Sequence, residues 1–133
     1  MNVIYKNFNL VFYIMFGLSF TAVVSILILM GFLPYVVFYL ISYSLSFGLI
    51  NFGKKYFNTS ISYSLWLIFY SITCIFPPVW QHYEYKNLQS DGYYGVGLLV
   101  IPIVHVTSLF IFFALSALSE IIGRKFGASR LRE

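Results

Sequence analysis

Charge is what this chain has least of. Charged residues make up 9% of its 133 positions, and none falls between Leu10 and Phe52. An ordinary soluble domain carries roughly 25%. Cysteine is limited to Cys74, which excludes an intramolecular disulfide and a one-chain zinc cluster. Beside Thr73 in an apolar run, that thiol reads as a small packing residue. There is no HExxH, no GxSxG, no Gly-rich phosphate loop and no pair of acids inside an apolar run, so an enzyme is not expected and no cofactor is implied. His82, Glu84 and Asp91 are the only grouped metal-ligand types, and their spacing matches no metal motif.

What the chain does have is apolar length. Hydrophobic residues are 60% of it and the mean hydropathy is +0.85. A soluble fold this short leaves too much surface exposed to hide them, so lipid is the expected solvent and the bilayer the first partner. One crossing takes about 20 largely apolar residues. The uncharged run from Leu10 to Phe52 is therefore two spans, broken at Gly31-Phe32-Leu33-Pro34, where glycine can leave the helical region and proline suits a first turn. A third run closes at Pro77-Pro78 and a fourth starts at Gly97. The expected fold is an all-α membrane protein, a bundle of four transmembrane helices over 10–31, 34–52, 61–79 and 97–122. No run alternates with the period of two that barrel strands need.

Seven of the eight basic residues, Lys6, Lys54, Lys55, Arg124, Lys125, Arg130 and Arg132, fall on one side of this layout, and Lys86 on the other. The positive-inside rule places both termini, the 53–60 loop and the 123–133 tail in the cytoplasm, with an 80–96 loop outside. The first run is too long for a signal-peptide core and is read as a retained helix. The net charge of +4 sits where insertion and anionic headgroups would put it, and calls for no nucleic-acid partner. Asn58-Thr59-Ser60 fits the glycosylation pattern, but lies on the cytoplasmic side and is taken as chance.

Several polar residues fall into helical stripes. Gly17, Thr21 and Ser25 repeat every four residues, the small-xxx-small pattern of close helix packing. Tyr35, Tyr39, Ser42 and Ser46 share one stripe, and Tyr63, Trp66, Tyr70 and Thr73 another. These two stripes are expected to look inward and face each other, as interhelical hydrogen bonds or as the lining of a polar pathway. Tyr56, Trp80, Tyr83, Tyr93 and Tyr94 lie at expected helix ends, where amphipathic rings suit the headgroup zone. Pro102 should disturb the carbonyl of Leu98 and kink the fourth helix. His105, three residues on, lies roughly 12 Å below the outer end at 1.5 Å per residue. An ionisable group at that depth is either a functional site or a side chain satisfied by Thr107, Ser108 or a neighbouring tyrosine. Glu120 and Arg124, four apart, should form a local ion pair.

Three functional readings follow. The leading one is a non-enzymatic protein of a bacterial inner membrane that acts by helix–helix association, with itself or with another integral membrane protein. The second is a small transporter or channel component using the stripes and His105. In size and layout alone the chain also resembles membrane immunity proteins that protect bacteria from pore-forming bacteriocins, which implies a third role, interception of a toxin by its helices.

Overall fold

In a computed structural model, which describes residues 3–91 and 96–127, the chain is a bundle of four long helices with no strand element among those residues. They are α1 (Val3–Met30), α2 (Val36–Tyr56), α3 (Ser60–Asp91) and α4 (Val96–Lys125). Each holds a stretch long and apolar enough to cross a bilayer, so this is a small multi-pass membrane protein. Around the bundle the order is α1, α3, α4, α2. The α3–α4 contact is the most extensive, whereas the consecutive α1 and α2 touch only lightly and leave an aromatic-lined seam at Phe16, Phe20, Tyr43 and Phe47.

The α1–α2 hairpin forms where glycine and proline direct it. Gly31 takes φ +73°, and its N–H and that of Phe32 return to the carbonyls of Ile28 and Leu27, a Schellman end to α1. A single 3₁₀ turn, Leu33–Tyr35, with Pro34 inside it, then leads into α2.

Two expected loops are largely helical. The 53–60 segment shrinks to Phe57–Thr59, because α2 continues through Lys54 and Lys55 in its last turn, where cations offset the negative helix end. Gly53 lets this extension lie against α3: a Cβ there would stand 2.6 Å from the indole nitrogen of Trp66. The 80–96 segment is helix as far as Asp91. Pro77 and Pro78 lie inside α3 and do not end it. At 1.5 Å per residue α3 is roughly 48 Å long, well beyond a hydrocarbon core of about 30 Å, so its polar last turns extend past the lipid as helix. Tyr93, Tyr94, Arg130 and Arg132 and the side chains of Lys6 and Asp91 lie outside the described residues.

The face that α1 turns inward also differs from the expectation. Phe12, Ser19, Val23 and Leu27 are buried, whereas Gly17, Thr21 and Ser25 are exposed, and no atom lies within 4 Å of a Cβ built on Gly17. At 100° per residue the two stripes are about 160° apart. The small-residue series is therefore not a packing face within this chain. Phe12 packs edge-on against Tyr63 and Tyr70, and that aromatic contact selects the opposite face.

A ladder of interhelical hydrogen bonds as the candidate functional site

Removing a backbone N–H leaves a carbonyl one turn earlier without its donor, and two such carbonyls organise the interior. Pro102 frees Leu98 O, which accepts from the Tyr39 hydroxyl at 3.1 Å. Pro78 frees Cys74 O, which accepts from the Ser19 hydroxyl at 2.5 Å. Each donor comes from a neighbouring helix and replaces the backbone bond that Pro102 or Pro78 removes. This also places Ser19, which the periodicity analysis passed over. Its one proton goes to Cys74 O, so the Tyr43 hydroxyl, 2.5 Å away, is the donor in their shared bond.

The α2 stripe is buried at Tyr39, Ser42 and Ser46, and Tyr35 sits half-buried in the 3₁₀ turn ahead of it. Tyr43, four residues after Tyr39 and on the same face, belongs to the stripe as well. Ser46 and the Tyr70 hydroxyl lie 2.9 Å apart, joining α2 to α3 across the bundle as the facing stripes predict. The rest of the α2 stripe turns instead to α4 and α1, because α2 and α3 sit on a diagonal of the bundle. Tyr63, Trp66, Tyr70 and Thr73 are all buried; Tyr63 reaches Asn9 of α1 at 2.7 Å, and Thr73 bonds back to Tyr70 O.

His105 is buried at the middle of this ladder. Its Nδ1 lies 2.7 Å from Ser42 Oγ, and its ring packs against Tyr43 with centroids 5.0 Å apart. The partner is thus a serine of α2. Ser108 donates to the backbone carbonyl of His105 and Thr107 to that of Ile103, so neither engages the ring. Among the described residues, Nε2 of His105 has no hydrogen-bond partner.

At the basic end, Glu120 does more than pair with Arg124. The ion pair is present, Arg124 Nε to Glu120 Oε1 at 2.7 Å. The other oxygen, Oε2, accepts from Asn58 N at 3.0 Å, Thr59 N at 2.9 Å, Thr59 Oγ1 at 2.9 Å and also from Ser62 Oγ. A carboxylate of α4 thus closes the start of α3 from outside, taking the N–H groups of Asn58 and Thr59 just ahead of Ser60 beside the positive helix end, while Thr59 Oγ1 itself accepts from Ser62 N in the first turn. Arg124 also donates to the carbonyl of Tyr56, the last residue of α2. Gly123 permits this approach, since a Cβ there would stand 3.2 Å from Thr59.

The opposite end shows a related arrangement. Glu84 accepts from the Trp80 indole at 3.0 Å, and a Cβ on Gly97, in the first turn of α4, would meet its carboxylate at 2.6 Å. No group of three His, Cys, Asp or Glu that could hold a metal ion occurs among the described residues, and Glu84 with His82 forms none. Tyr83 is exposed.

Taken by level, the interior bonds descend from Tyr39 through Ser42–His105, Ser19–Tyr43 and Ser46–Tyr70 to Tyr63–Asn9 and the Glu120 cap. The groups that bond here are the ones the sequence marks as polar within apolar helices, and they tie one helix to the next. Comparison with protein-family models, curated proteins and solved structures finds no match to this chain.

Proposed function

We propose that the protein is a non-enzymatic, multi-pass component of a bacterial inner membrane that acts through helix–helix association, as an oligomer or as an accessory subunit of a membrane complex. Both termini are cytoplasmic in this reading, from the seven-to-one distribution of Lys and Arg. One observation carries it: Gly17, Thr21 and Ser25 face outward from α1 with open space beside Gly17. Lipid contact alone gives no reason for a shallow stripe flanked by Leu10, Ile14, Leu18 and Ile28, whereas a second helix can bring its backbone close there.

A transport role draws on the ladder and on Nε2 of His105, which has no partner among the described residues, but the ladder residues bond to one another, which favours a structural use of the same groups. The test is energy transfer between donor- and acceptor-labelled copies in liposomes, together with co-purification from native membranes. Gly17→Leu or Thr21→Leu should abolish association while the fold persists. Association unchanged by both substitutions would overturn the assignment.

A further inference from the structure

The seam between α2 and α4 opens sideways into a groove of about 500 Å³, lined by Phe38, Ile41, Ser42, Leu99, Pro102 and Ile103, with Val106 and Thr107 at one end. That volume suits a small organic molecule. Ile41 and Ile103 are more than half exposed, so the opening faces the hydrocarbon, and only a molecule dissolved in the membrane can enter.

The wall carries two hydroxyl residues. Thr107 is committed to Ile103 O, which leaves Ser42, buried and bonded only to His105 Nδ1 among the described residues. A serine hydroxyl offers one donor and two acceptor positions, and a neutral imidazole one of each. If Ser42 donates to Nδ1, its own oxygen can still accept; if it accepts from Nδ1–H, its proton is free to donate. In either tautomer Nε2 remains without a partner among the described residues. The pair can therefore switch between offering an acceptor and offering a donor, and one hydrogen-bonding capacity stays open at Ser42.

From these observations the geometry points to a binding site for a membrane-dissolved apolar molecule bearing a single hydroxyl or carbonyl, its body in the α2–α4 groove and its polar atom on Ser42. Depth selects this occupant over a phospholipid. His105 lies about 12 Å along α4 from Gly97 at 1.5 Å per residue, below the ester and headgroup level, so a phospholipid placed there would present only a hydrocarbon tail to the polar pair. Pro102 contributes by shape, since it has no N–H to leave exposed on the groove wall.

The probe is 3-azioctanol, an eight-carbon alcohol carrying a photoreactive diazirine, applied to the full chain in phosphatidylcholine vesicles. Saturable labelling within residues 99–107 is expected. Ser42→Ala should raise the half-saturating concentration about fivefold, the weight of one hydrogen bond. Ile103→Trp, which fills the groove from its open side without touching the His105–Ser42 pair, should remove the saturable component. This variant keeps the test decisive if Ser42→Ala does not fold. 3-Azioctane, the same chain without the hydroxyl, should label without saturation. Equal saturable labelling by the alkane, or labelling that Ile103→Trp leaves unchanged, would overturn the site and reduce the groove to a slot for acyl chains. Loss of labelling only when copies associate would assign the groove to a second chain and overturn it equally.

Discussion

If Glu120 caps α3 from another helix, its removal should cost far more than removal of its ion-pair partner. Glu120→Ala leaves the N–H groups of Asn58 and Thr59 without an acceptor at the start of a helix. A lost cap costs about 1 kcal/mol. The lost carboxylate at a positive helix end adds up to about 1, and a buried donor left unpaired about 1 or more. Thr59 and Ser62 can turn to each other and to Thr59 O, as they already do in part, so their hydroxyls add little. The expected loss is about 3 kcal/mol, the sum of these contributions. Arg124 is 52% exposed while Glu120 is fully buried. Arg124→Ala should therefore cost only about 0.5–1 kcal/mol, in the range of screened surface pairs. Glu120→Gln keeps an acceptor and should fall between the two. Unfolding in mixed detergent micelles, followed by circular dichroism, gives all three values. Equal losses of about 1 kcal/mol or less for Glu120→Ala and Arg124→Ala would refute the cap and leave a local pair.

Other perturbations probe the rest of the bundle. Tyr39→Phe should cost about 1 kcal/mol by leaving Leu98 O unpaired, and Pro102→Ala, which restores the backbone donor, should remove most of that loss; an additive double mutant in the same unfolding assay would contradict the substitution of hydroxyl for N–H. Gly53→Ala should destabilise by about 1–3 kcal/mol through overpacking against Trp66, whereas Gly17→Ala, with open space beside it, should leave the unfolding midpoint of the detergent-solubilised monomer in place. His105→Gln retains a donor and an acceptor and should keep abundance and fold at a cost of about 1 kcal/mol; normal abundance with loss of a cellular phenotype would instead make the ring a working site.

The sequence made four spans and the Gly31 hairpin legible because bilayer thickness and the backbone demands of Gly31 and Pro34 act locally. The tyrosine and serine stripes were legible for the same kind of reason, a period of 3.6 in polar residues that lipid disfavours on the outside. Loop lengths were less so. Pro77-Pro78 reads as a stop, yet α3 continues past it, and Ser19, distant in sequence, donates to the carbonyl that Pro78 frees. The direction of the Gly17 stripe was hidden too, because both faces of α1 are apolar and only the tertiary contacts of Phe12 and Ser19 decide between them. Glu120 showed only its Arg124 partner in sequence, since the α3 start that it caps is about sixty residues away.

The central claim is that the outer face of α1 seats another helix, and disulfide trapping in native membranes tests it most directly. With Cys74→Ala as background, a cysteine introduced at Thr21 should trap a disulfide-linked second copy under mild oxidation, and a photo-crosslinking residue at the same position, which needs no thiol on the other side, should trap either a second copy or one partner chain. A cysteine at Val37, exposed on the lipid side of α2, should not. Trapping at both positions to the same extent, or at neither, would contradict the claim.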